Sequence, residues 1–72
     1  MKQECMVKQF VGVVQGQHGR FNVYTTGDAK FYLFRPIYNG CEYGLDIPTL
    51  KADLRDDVRA ALRHGCSFDA TK

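Results

Sequence analysis

His64 and Cys66 stand two residues apart in "HGC", the closest pairing of a histidine with a cysteine in the chain. A structural metal site asks for such a pair and for a second one to complete four ligands. No second pair exists, and "HGC" straddles a glycine of the kind that ends helices. His64 is therefore read as a surface histidine and Cys66 as a capping contact, with no metal ligands. Nucleophilic catalysis would need a cysteine or serine beside a base and an orienting third group. Cys41 and His18 could meet only if two separate turns converged. Cys41 directly follows Asn39-Gly40, so a strand position is the simpler reading. No catalytic residue is assigned.

Glycine patterns add no chemistry. "GQHG", residues 16–19, has the GxxG spacing of nucleotide-clamping loops, but those join two helices and strand-like sequence flanks this one. A hairpin turn accounts for it. There is no P-loop, no dinucleotide fingerprint and no clustered carboxylate pair. The expectation is a non-enzymatic protein with no cofactor and no small-molecule substrate.

Composition sets the wider bounds. With 44% hydrophobic and 25% charged residues, the 72-residue chain reads as one globular domain, residues 1–72. A chain this short buries only about 60–65% of its unfolded surface, so its core must be thin. No segment approaches the roughly 18–20 apolar residues of a membrane span, and "MKQECMVKQFVGVV" lacks a signal-peptide core. Cytoplasmic placement and no membrane partner are expected. The net charge of +2 is too even to imply nucleic acid by itself. Three widely spaced cysteines, Cys5, Cys41 and Cys66, suit reduced thiols better than a disulfide framework.

These residues must be held by strands and a helix. Residues 5–15 alternate loosely and are rich in Val, which predicts a strand. "RFNVYTT", residues 20–26, alternates cleanly and predicts a second. A three-residue "TTG" loop would lead into a third strand over 29–35, with Phe21 and Val23 sharing a face with Phe31 and Leu33. A two-residue "GD" loop would instead set Phe21 beside Phe34 and mix the faces. The first register is preferred because it keeps the apolar set together. Pro36 ends the third strand, marks a bulge or lies on an edge. Asn39-Gly40 predicts a hairpin into a fourth strand over 41–45. Pro48 and Gly65 bracket a predicted helix over 48–64. Its apolar stripe is Ile47, Leu50, Leu54, Val58, Ala61 and Leu62; Lys51, Arg55, Arg59 and Arg63 form a basic edge. The fold class is thus α+β: an antiparallel sheet of about four strands, in two successive hairpins, with one C-terminal amphipathic helix on one face.

One helix covers only one face of such a sheet. That face takes Val7, Val11, Val13, Phe21, Val23, Phe31 and Leu33. The other receives Met6, Lys8, Phe10, Val14, Arg20, Asn22, Tyr24, Lys30, Tyr32 and Phe34, with aromatics and cations but no acid. Tyr43 and Leu45 join it if the Asn39-Gly40 loop is strict. Tails or the Phe68 segment could cover part of it. A protein interface fits it best, through Phe10, Arg20, Tyr24, Lys30, Tyr32 and Phe34, in a homodimer or in an inhibitor or regulator occluding a larger protein. The alternative is single-stranded nucleic acid, stacked on Tyr24, Tyr32 and Phe34 with phosphates on Lys8, Arg20 and Lys30.

Overall fold

A computed structural model describes residues 8–27 and 30–71. The expectations placed on Cys5, Met6, Val7 and Ala29 fall outside them. Among the described residues, the chain forms a small α+β domain with one α-helix and a mostly antiparallel, open sheet of six strands rather than about four. In chain order these are β1 (Gln9–Gly16), β2 (Gly19–Thr25), β3 (Phe31–Tyr38), β4 (Cys41–Glu42), β5 (Ile47–Leu50), a 3-10 turn (Lys51–Asp53), α1 (Asp56–Arg63) and β6 (Phe68–Asp69). The sheet order is β4-β3-β2-β1-β6, and β5 shares the outer edge of β3 with β4.

Two local events decide which side chains face the helix. In β1, Phe10 opposes Tyr24 and Gly12 opposes Val23, so Val11 is an extra residue in a bulge. The bulge reverses the alternation after it. Val11 packs on the core and Val14 is buried there, while Val13 turns to the opposite face. In the β2–β3 connection, β2 ends at Thr25, β3 begins at Phe31, and the last pair between them is Tyr24 with Leu33. Val23 then opposes Phe34, and Tyr24 opposes Leu33. The TTG register is therefore corrected: Tyr32 and Phe34, not Phe31 and Leu33, join Phe21 and Val23. Both alternating sets of β3 are apolar, so hydrophobic pattern could not choose between them; a one-residue change of parity exchanges the faces.

The core is Val14, Val23, Tyr32, Val58 and Leu62, flanked by Val11, Phe34, Leu54 and Phe68. Phe21 meets Phe34 edge to face, with centroids 5.9 Å apart. That Leu62 and Val58 supply the helix's buried side agrees with the predicted stripe, but the stripe's first half does not belong to a helix. Ile47–Leu50 is β5, hydrogen-bonded along β3, and Ile47 and Leu50 are exposed. Without β5, the backbone of Phe31–Phe34 would have an unpaired edge, and pairing it outweighs the helical spacing. The α-helix consequently starts at Asp56 and ends at Arg63, after which the Gly65 and Cys66 N–H groups return to the Leu62 and Ala61 carbonyls. This is the two-bond exit that the C′ glycine predicts.

That exit carries the chain onto β1. The Val13 amide donates to Ser67 Oγ at 3.0 Å, the Ala70 amide donates to the Gln15 carbonyl at 2.8 Å, and β6 pairs parallel with Val14 and Gln15. Room for this exists because position 12 has no side chain. A Cβ there would lie 2.9 Å from the Cys66 carbonyl oxygen.

Both prolines sit where no donor is missed. Pro36 continues β3 instead of ending it, and its carbonyl accepts the Tyr43 amide at 3.0 Å. Its imide nitrogen faces the same side, toward a bulge in which Arg35 and Pro36 oppose the four residues Tyr43–Asp46. Lys51 donates to the Lys30 carbonyl at 2.9 Å, so the alternate nitrogens of Thr49 and Ile47 also point at β3. Pro48 lies between them, and its nitrogen points to the free edge.

Candidate functional site: the uncovered sheet face

Asn39 and Gly40, with φ of 53° and 80°, form the tight turn that brings β4 back beside β3. Glu42 then opposes Ile37 and reaches across the uncovered face, where the Asn22 amide donates to it at 2.7 Å and the Tyr24 hydroxyl also donates to it. Beyond the bulge, Asp46 lies between two cations. Lys8 Nζ approaches Asp46 Oδ2 at 2.9 Å, and Arg35 stands 3.7 Å from Oδ1 while its Nε donates to the Tyr43 carbonyl. The face that the sequence suggested to be free of acid thus carries Glu42 and Asp46, both delivered by the 41–46 segment. Lys8 and Arg35 are thus paired with Asp46 on the same face.

The apolar part is equally definite. Alternation places Phe10, Val13, Tyr24, Phe31, Leu33 and Ile37 on this side, and Leu50 and Pro48 extend it along β5. Phe10 is 58% exposed and meets Tyr24 edge to face at 5.8 Å. Lys8 Nζ lies 4.7 Å from the Tyr24 ring centroid, so one tyrosine organises an aromatic neighbour, a cation and a carboxylate. Around the β4–β5 segment, Tyr43 and Leu45 are also exposed, Tyr43 edge to face with Tyr38 at 6.5 Å.

Of the expected contact residues, Phe10, Arg20 and Tyr24 lie on this face. Arg20 is exposed and donates to Gln15 Oε1 at 3.0 Å. Lys30 is exposed just before β3. Tyr32 and Phe34 are corrected to the helix side: Tyr32 is buried beneath Lys51, whose Nζ lies 4.5 Å from its ring centroid. The basic edge is corrected as well, because Lys51 belongs to the 3-10 turn and Arg55 precedes α1. Arg55 pairs with Asp57 at 2.5 Å, and Arg59 donates to the Lys51 and Leu54 carbonyls, fastening the 3-10 turn to the helix. Sequence reasoning missed Glu42, Asp46, Leu33 and Arg35. The β2–β3 register places Leu33 and Arg35, the Asn39-Gly40 turn places Glu42, and the irregular Tyr43–Asp46 stretch places Asp46.

The Tyr24–Glu42 contact shifts both groups. The hydroxyl of Tyr24 and the amide of Asn22 hold the Glu42 carboxyl below its ordinary 4.5, and donation to Glu42 raises the Tyr24 hydroxyl above its ordinary 10.0. For Glu42 the folded value is depressed, so the contact is present above the ordinary value and is lost as pH falls through the folded one. For Tyr24 the folded value is raised, so the contact is present below 10.0 and is lost as pH climbs through the folded value. A carbon-detected titration of the Glu42 carboxyl should show a midpoint below 4.5 that moves up in Tyr24→Phe. An ordinary midpoint in both proteins would mean that the contact does not form in solution.

Among the described residues, no three of His, Cys, Asp and Glu gather closely enough to share a metal ion. Cys41 and Cys66 are free and exposed, and the Cys66 thiol donates to the His64 carbonyl at 3.7 Å. Also among them, no helix is long and apolar enough to cross a membrane. No family model, curated protein or solved structure matches the chain.

Proposed function

We propose that the chain is a small non-enzymatic protein-binding module that docks a partner protein, or a second copy of itself, on the uncovered sheet face. The observation carrying this reading is the exposed Phe10 on Tyr24, continuous with Leu33, Phe31 and Leu50 on a face to which α1 contributes nothing. Exposed aromatic and aliphatic groups beside arginine are the composition of an interface centre. Pre-paired charges suit such a role, because Lys8, Arg35 and Asp46 are held in one arrangement before a partner arrives. The same pairing argues against single-stranded nucleic acid. Two of the three aromatics required for stacking, Tyr32 and Phe34, face the core, and Asp46 already occupies Lys8.

A second copy is the first occupant to test. Light scattering coupled to size-exclusion chromatography, at low and high protein concentration, should show a dimer that Phe10→Glu abolishes without changing the circular dichroism spectrum. A monomer at every concentration would exclude a second copy as the occupant. Oligonucleotide affinity should be undetectable at physiological salt. Binding that falls steeply with salt, with a log–log slope near −0.7 per phosphate, and that is lost in Lys8→Glu, would replace the protein-binding reading.

A further inference from the structure

On the opposite side of the sheet, the β1 bulge, the end of α1 and the 3-10 turn border an open groove of about 380 Å³. Its size falls in the range of small-molecule sites, which begins at about 300 Å³. The apolar wall is Val11, Tyr32 and Leu62, and the polar rim includes Lys51 and Arg63. Among the described residues, no carboxylate lines it. Arg63 has no acidic partner among the described residues, in contrast to Arg55, just before α1, and Arg59, within it, which pair with Asp57 and Asp56. Lys51 is already fixed over the Tyr32 ring, and its ammonium has no ion-pair partner among the described residues.

We propose that this groove binds a small organic anion: a carboxylate or phosphate head between Lys51 and Arg63, carried on an aromatic or branched aliphatic body that lies against Val11, Tyr32 and Leu62. Each half of the site answers one half of that ligand. Two cations without acids favour the head, and apolar walls favour the body, so neither inorganic anion nor neutral hydrocarbon uses both. Among the described residues no acid–base pair lines the groove, and the ligand is held there, not converted. The site shares no side chain other than Phe10 with the proposed docking face. It therefore stands or falls independently of that reading.

Phenyl phosphate is the probe, followed by backbone amide shifts in the intact chain, with inorganic phosphate and phenol as the head and body alone. The expected result is saturable shifts at Thr25, Tyr32, Lys51, Leu62 and Gly65 in the millimolar range or below, with each fragment at least about tenfold weaker. Arg63→Gln, which alters an exposed side chain, should weaken phenyl phosphate by roughly tenfold, the order of one charge-assisted hydrogen bond. Arg20→Gln, on the other face, should leave it unchanged. Shifts that fail to saturate, that inorganic phosphate reproduces equally, or that persist undiminished in Arg63→Gln would overturn the proposal. So would an equal loss in Arg20→Gln.

Discussion

Tyr32→Ala is expected to remove most of the protein's stability at room temperature. Tyr32 is only 5% exposed and packs in the same cluster as Val23, Val58 and Leu62. Truncating a buried aromatic to alanine costs about 3–5 kcal/mol. A domain of this size has a total stability of about 5 kcal/mol. Tyr32→Phe keeps the ring beneath Lys51 and should cost less than about 1.5 kcal/mol. The comparison is made by urea denaturation followed by far-ultraviolet circular dichroism. Phe10→Ala provides the contrast, since its ring is 58% exposed and its loss should scarcely move the midpoint. A cooperative transition for Tyr32→Ala at the wild-type midpoint would place β3 in the opposite register.

Gly12→Ala is expected to destabilise the protein by about 1–3 kcal/mol, although an added methyl in a strand ordinarily helps. The new Cβ would stand 2.9 Å from the Cys66 carbonyl oxygen, 3.1 Å from its carbon and 3.2 Å from the Ser67 nitrogen. All three atoms are backbone, so no side chain can swing aside. The segment leaving α1 must retreat from β1, weakening the Val13–Ser67 bond and the β6 pairing together. Faster amide exchange at Val13 and Ala70 should accompany the lower midpoint. Gly16→Ala, where the nearest contact would be an ordinary 3.7 Å, should leave exchange at Val13 unchanged. Equal effects of the two substitutions would show that close approach at Gly12 is not the cause.

Features set by short-range geometry were legible in the sequence. Asn39-Gly40 specified its turn, the alternation of Phe21, Asn22 and Val23 specified β2, and Gly65 specified the helix exit. The α+β class followed from these. What was not legible depended on partners distant in the chain. Ile47, Leu50 and Leu54 have spacing that suits a helix, yet Ile47–Leu50 is recruited by the free edge of β3. The bulge at Val11 is fixed by what packs on each side of β1, including Phe68. For the candidate site, Phe10 and Tyr24 were recognisable from the strand pattern, whereas Tyr32 and Phe34 were misassigned because β3 is apolar on both faces. Glu42 and Asp46 escaped notice because they reach the face from the 41–46 segment, which pairs irregularly with β3.

The outward nitrogen of Pro48 bears on how copies of this molecule can associate. An extended edge with alternating donors and acceptors is a template on which identical chains add without limit, as in fibril growth. Here a prolyl ring occupies one donor position of the β5 edge, and the four residues Tyr43–Asp46 break its straight run. At the other rim the sheet ends in β6, only two residues long. Both rims therefore act as chain terminators. Association that proceeds through the broad face can close on itself in a pair, while end-to-end polymerisation of the sheet is obstructed at its first step.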